Sequence, residues 1–349
     1  MNTLVIEKSA LKNNISLVKE QAGASYIYAN LSGDGYGAGA VPLAKLLRDE
    51  GIRRFCVDSA DTAAALRKAG LVDEEILMLH STSDREVLEK LSDLNAVCSV
   101  GTLEAGMALN ALAESRATVI EAHLQIDCGM GFGGFPAEEP EKIVSVIRNL
   151  PNVAFSGVYT QLTSGRAMDA QLAAFQQAVD DIHAAGCETG LVHAAGSYAM
   201  LHSDLAHLDA VRAGSILLGR CTRSRNDGLI TVGFGETTVD SIRWLPRGHT
   251  LGNERKVTLR KPARVAVLPV GYQHGFGVDR PAVTLWQAIR RVLGRRKTVC
   301  INGQKAKILG AVGATETLVD VTGLKCAEGD TAVFSLDPLY ARGVQREYR

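Results

Sequence analysis

The sequence predicts an α/β protein in two parts, a (β/α)8 TIM barrel followed by a C-terminal all-β domain. Three observations carry this. At 349 residues the chain exceeds the usual size of one hydrophobic core, and a barrel of roughly 200 to 250 residues is a common single unit. From residue 25 to about 216, short β-rich apolar runs alternate with helical patterns, as in a parallel sheet with crossover helices. After about residue 229 the helical period fades into strands punctuated by Gly and Pro.

The expected barrel strands are 25–31, 55–59, 76–80, 96–100, 119–126, 153–162, 190–195 and 210–218, separated by helices such as 41–50, 60–69, 86–94, 103–114 and 167–185. Eight such units close naturally into a barrel, whereas doubly wound open sheets more often use five or six strands and are the alternative fold. The barrel is expected over 1–225 and the β domain over 226–349, with strands at 237–244, 264–269, 297–301, 304–309, 317–321 and 331–334. Residues 282–292 fit either a helix or a strand and loop.

Apolar residues make up 46% of the chain and 38 basic residues balance 38 acidic ones, a composition that excludes disorder and a membrane protein. The basic stripe Arg290, Arg291, Arg295, Arg296 and Lys297 has no interleaved aromatics, so it reads as a solvated face or subunit contact and nucleic acid is not expected as a partner. The 7 cysteines are odd in number, widely spaced and lack a C-x-x-C pair, which fits a reducing cytoplasm rather than a disulfide framework or zinc knuckle. Met1-Asn2-Thr3-Leu4-Val5 begins no charged-then-apolar leader, and no apolar run reaches the roughly 18 residues of a membrane span. A cytoplasmic protein without a membrane partner is expected.

In a (β/α)8 barrel the loops after the strands' C-terminal ends form the active face. The residues placed there are Ser32, Asp34 and Tyr36, then Asp58 and Ser59, His80, Ser99, and Gln125, Asp127 and Cys128. Gln161, Thr163, His193, Ser197, Arg212, Gly214 and Ser215 complete the set.

Within this set the stretch Ser32-Gly33-Asp34-Gly35-Tyr36-Gly37-Ala38-Gly39 resembles the cofactor-binding motif of alanine racemases, K-A-[DN]-A-Y-G-H-G. Collinear matches follow at Ala64-Leu66-Arg67 with Ala69-Gly70, Asp127-Cys128-Gly129-Met130-Gly131, Val158-Tyr159-Thr160, His193-Ala194-Ala195-Gly196-Ser197, Val211-Arg212-Ala213-Gly214, Pro269-Val270-Gly271-Tyr272, Ile308-Leu309-Gly310 and Val319-Asp320-Val321-Thr322. The resemblance implies a barrel plus β domain, pyridoxal phosphate as cofactor and a small-molecule substrate. It places Tyr36, Ser197, Gly214, Ser215 and Tyr348 at the cofactor phosphate, with His193 in the same motif as Ser197. Arg212 falls where an arginine faces the pyridine nitrogen, and its permanent charge would keep that nitrogen unprotonated. Tyr272 falls where a second base comes from the partner subunit, so a homodimer is implied, with the C-terminal domain reaching the partner's barrel.

The departures cluster at the pocket. Ser32 aligns with the lysine that holds pyridoxal phosphate, and a hydroxyl cannot form that covalent link. No covalent cofactor is therefore expected; noncovalent pyridoxal phosphate is the alternative. Thr163, Phe132, Gln125, Gln273-His274 and Ala314 also depart from the family's residues. Three readings follow: an inactive binding or structural homologue, a racemase homologue holding pyridoxal phosphate noncovalently, or a pocket remodelled by evolution or by deliberate change. The third is preferred, because decay would scatter through the fold. For a rebuilt reaction, Ser32 and Cys128 are the candidate nucleophiles and His80, His193 and His274 the candidate bases, the minimum for acyl transfer or ester hydrolysis. Each has a plain structural role to compete with: Cys128 as a small buried hydrophobe, Ser32 as a turn residue. No close-spaced ligand pair marks a metal site, and none is expected.

Overall fold

The computed structural model describes residues 1–221, 227–252, 257–278 and 298–349, and it contains two compact units, Ser9–Thr231 and Met1–Lys8 together with Val232–Arg349. The strands, in chain order, are β1 (Thr3–Ile6), β2 (Tyr26–Asn30), β3 (Arg54–Val57), β4 (Glu75–Met78), β5 (Cys98–Val100), β6 (Ile120–Asp127), the short β7 (Phe135–Pro136), β8 (Val153–Tyr159), β9 (Leu191–Gly196) and β10 (Ala210–Ala213).

Unit Ser9–Thr231 is the expected barrel. Eight strands run parallel in the order β4-β3-β2-β10-β9-β8-β6-β5, and a parallel bridge between Leu77 and Val97 closes β5 onto β4. Two backbone hydrogen bonds make that seam, Met78 N–H to Val97 O at 2.9 Å and Val97 N–H to Ile76 O at 2.8 Å. Closure satisfies both edges, which an open sheet would leave exposed. The helices at Ala40–Asp49, Ala60–Lys68, Arg85–Asp93, Leu103–Ser115 and Met168–Ala184 match the sequence periodicity. Side-chain caps start three of them: Ser59, Asp84 and Thr102 accept the free N–H groups of the first turn. Arg67 fastens the opposite, N-terminal rim by donating to the carbonyls of Leu71, Glu74, Leu94 and Asn95. A cavity of ≈ 530 Å3 lies at that rim beside Arg67, Glu75 and Glu121; none of the expected site residues lines it.

The β unit contains β11 (Phe234–Thr238), β12 (Ser241–Leu245), β13 (Thr250–Leu251), β14 (Val257–Thr258), β15 (Ala263–Leu268), β16 (Thr298–Ile301), β17 (Gln304–Ile308), β18 (Thr317–Asp320), β19 (Thr331–Ser335) and β20 (Gln345–Tyr348). Nine strands form one sheet in the order β12-β15-β18-β17-β16-β19-β11-β1-β20. The division therefore differs from the expected boundary at 225: the chain's first eight residues join this unit. Residues 3–6 are a β-prone apolar run, and β1 fills the gap between β11, which it meets antiparallel, and β20, which it meets parallel. Such pairing across the chain's length leaves no local signal. The expected element at 282–292 and the basic stripe at 290–297 lie outside the described residues. No described helix is long and apolar enough to cross a membrane.

Candidate functional site

The barrel mouth begins at the segment after β2. Gly33, Asp34 and Gly35 have φ, ψ near 60°, 45° (62, 42; 55, 51; 64, 42), and Tyr36 continues the left-handed course at φ 54. Alternating glycines make this turn accessible, since only glycine enters the region without a Cβ penalty. Asp34 locks it by accepting the Ala40 N–H at 2.8 Å. Ahead of the turn, Asn30 Oδ1 accepts both the Ser32 N–H at 2.9 Å and the Ser32 hydroxyl at 2.6 Å. Asp58, after β3, accepts the Gly33 N–H at 2.7 Å.

Across the mouth, β9 and β10 end side by side. Ser197 Oγ accepts from the N–H of Gly214 at 3.0 Å and of Ile216 at 3.3 Å, so a hydroxyl and the backbone of 214–216 converge. Gly214 has no room for a side chain: a Cβ there would stand 2.4 Å from Tyr36 Oη. Tyr36 and Ser197 thus both lie against the backbone at Gly214, which Ser215 follows in the chain.

Beneath the mouth runs a buried polar chain. Arg212, 3% exposed, donates through Nη1 to His193 Nδ1 at 2.7 Å and His193 O at 3.2 Å. Through Nη2 it donates to Thr160 O at 2.5 Å, Gln161 Oε1 at 3.1 Å and Ala194 O at 3.3 Å. His193 Nε2 lies 2.9 Å from His123 Nδ1. Arginine can only donate, so His193 Nδ1 is the bare nitrogen, Nε2 carries the proton, and His123 receives it on Nδ1. The His193 ring is sandwiched between Tyr28 and Tyr159, at centroid distances of 5.4 and 5.2 Å, and Tyr159 Oη lies 2.7 Å from Leu79 O and 3.0 Å from Ser99 Oγ, its one hydrogen shared between them. Burial, then the Arg212 charge, holds both imidazoles neutral: His123 drops to about 3 and His193 falls well below its ordinary value. Burial also pulls Arg212 down, and among the described residues no carboxylate pairs with it. The guanidinium is thus held by neutral acceptors, five of them around its two terminal nitrogens.

The arrangement does not assemble the nucleophile and base that acyl transfer needs. The Ser32 proton goes to Asn30, not to a histidine. Burial raises the Cys128 thiol, with Thr160 lowering it and Asp127 and Glu138 raising it further; among the described residues no histidine lies within hydrogen-bonding distance of it. His80 is exposed and His193 is committed to Arg212 and His123. In the β unit, Tyr272 and His274 share a short turn, where Gly271 N–H donates to His274 Nδ1 at 3.2 Å. Tyr272 N–H and Gln273 N–H donate to Gly313 O at 2.9 Å and Ala314 O at 3.1 Å, so the two departures Gln273-His274 and Ala314 are neighbours. Tyr348 ends β20 in the same unit. Gln125 donates to Gly133 O at 3.1 Å, Thr163 bonds Gln171, and Phe132 is 77% exposed. All seven cysteines are free, and no described group of His, Cys, Asp or Glu is disposed to hold a metal ion.

Sequence reasoning missed His123 and Asn30. Each is a polar residue between two apolar ones, Ala122 and Leu124 beside His123 and Ala29 and Leu31 beside Asn30; that interruption was the available signal.

A closed parallel barrel, with a hydroxyl and backbone N–H groups converging after its last two strands, in one chain with a separate β unit, defines the class: the two-part α/β-barrel proteins. The family within that class follows from comparison with known proteins. Residues 6–221 match the alanine racemase N-terminal domain and residues 235–340 the alanine racemase C-terminal domain, and the chain belongs to the alanine racemase family. It is 31% identical over 333 residues to the alanine racemase of Carboxydothermus hydrogenoformans, covering 93% of this chain and 86% of that one. It is 30% identical over 331 residues to a broad specificity amino-acid racemase of Vibrio vulnificus, covering 92% and 77%. Among solved structures, the fold matches an alanine racemase of Clostridium difficile with a TM-score of 0.86 at 22% identity, over 100% of this chain and 95% of that one. It also matches one from Bartonella henselae with covalently bound pyridoxal phosphate, with a TM-score of 0.83 at 20% identity, over 100% and 99%.

Proposed function

We propose that this chain holds pyridoxal phosphate or a close vitamer at its barrel mouth without a covalent bond, and that ordinary racemisation is disabled at Ser32. One observation carries the reading. The lysines of unit Ser9–Thr231 (Lys12, Lys19, Lys45, Lys68, Lys90 and Lys142) are all exposed on outer helices, while the residue after Leu31, where the family motif has its lysine, is a serine hydrogen-bonded to Asn30.

The mouth retains what a phosphorylated pyridine needs. Tyr36, Ser197, Gly214 and Ser215 would hold the phosphate, with Tyr348 joining them by the family resemblance, and Arg212, fixed by His193, would face the ring nitrogen. The bound ring supplies an electron sink. The chain's own residues keep Arg212 charged and immobile, and they offer no amine to the aldehyde. The substrate end has been remodelled at Gln125, Phe132, Thr163, Gln273, His274 and Ala314. The same reading carries a cytoplasmic protein, in keeping with its free cysteines, and a homodimer in which Tyr272 enters the partner's pocket; sedimentation velocity giving a monomer would remove the dimer.

The test compares the native chain with Ser32→Lys by absorbance titration with pyridoxal phosphate, borohydride reduction and an alanine racemisation assay. Saturable binding without a reducible adduct at the mouth is expected for the native chain, and a reducible adduct for Ser32→Lys. A stable reduced adduct at a single lysine of the native chain, or racemisation by it, overturns the reading.

A further inference from the structure

The hydrogen-bond directions around Ser32 say which vitamer the mouth prefers, an inference that rests on the reading above and deepens it. A backbone N–H can only donate, so the Asn30 side-chain atom 2.9 Å from the Ser32 nitrogen is the carbonyl oxygen. The Ser32 hydroxyl lies 2.6 Å from that same oxygen, and two oxygens at that distance share one proton, which only the hydroxyl can provide. Its single hydrogen is spent, and what Ser32 offers a ligand is lone pairs. The next donor along the chain, Gly33 N–H, goes to Asp58 Oδ2 at 2.7 Å, which leaves the other carboxylate oxygen of Asp58 without a hydrogen bond among the described residues. The terminal nitrogens of Arg212 are already shared among five acceptors.

This end of the mouth is therefore rich in acceptors: the Ser32 hydroxyl oxygen and a carboxylate oxygen of Asp58. An aldehyde brings a further acceptor and finds little to bind it, whereas a protonated amine brings three donors and a positive charge beside a carboxylate. We infer that the mouth selects the amine form of the phosphorylated pyridine, a pyridoxamine-5′-phosphate-type ligand, over the aldehyde and alcohol forms. The Asn30 amide NH2 is a donor at this end, so Asn30→Asp, which keeps an acceptor for Ser32 and replaces that donor with negative charge, strengthens the selection.

Isothermal titration of the full native chain with pyridoxamine 5′-phosphate, pyridoxal 5′-phosphate and pyridoxine 5′-phosphate tests this; the alcohol form cannot react with surface lysines. The expected result is binding of the amine form at least tenfold tighter than the alcohol form. Ser32→Ala should narrow that ratio and Asn30→Asp widen it. Equal binding of the amine and alcohol forms, or a ratio that Ser32→Ala leaves unchanged, overturns the inference while leaving noncovalent vitamer binding intact. Failure of all three ligands to bind overturns that underlying reading as well.

Discussion

Acidification should unfold this protein through the His123–His193 pair. Both rings are buried, at 1% and 0% exposure, and both are neutral in the native state, His123 titrating at about 3 and His193 well below 6.5. The unfolded chain binds protons near 6.5 that the native pair refuses, so this contribution to stability is full above that pH and is lost as pH falls toward 3. From pH 7 to pH 5 each such histidine costs about 1.9 kcal/mol, so the pair costs roughly 4 kcal/mol of a typical 5 to 15. His123→Asn keeps an amide oxygen near the place of Nδ1 to receive the His193 proton and removes one titrating ring. Guanidinium unfolding followed by circular dichroism at pH 7, 6 and 5 should show the native chain losing about 4 kcal/mol and the variant about 2. Equal losses in the two proteins, or a total loss under about 1 kcal/mol, would refute the reasoning.

Other outcomes follow from the same geometry. Gly214→Ala pushes a methyl to 2.4 Å from Tyr36 Oη and should weaken binding of any phosphorylated vitamer at least tenfold, by titration calorimetry, while the far-ultraviolet spectrum stays native. Arg67→Met removes four carbonyl hydrogen bonds at the N-terminal rim; stability should fall by about 2 to 4 kcal/mol with vitamer affinity unchanged, measured by denaturation and titration on one preparation. Gly235→Ala sets a methyl 2.2 Å from the Phe334 ring and should cost about 1 to 3 kcal/mol through overpacking, lowering the melting temperature. Cys128, buried and with its thiol raised, should react with iodoacetamide far more slowly in the native than in the unfolded protein, which peptide mass mapping over time can follow.

Much of this protein was determined by its sequence alone. Strand positions, helix faces and the list of residues at the strands' C-terminal ends follow from local periodicity, because a parallel strand buried on both faces and an outer helix each write a short-range pattern. Tyr36, Ser197, Arg212, Gly214 and Ser215 could be placed at one mouth for that reason. What only the tertiary structure decided are the partnerships that cross the barrel or the chain. β1 joins a sheet whose neighbours begin more than 200 residues later, His123 finds His193 70 residues away, and Gly33 N–H finds Asp58 25 residues away. Side-chain identity supplies the donors and acceptors, but the choice among partners depends on distances that barrel closure sets and no local pattern encodes.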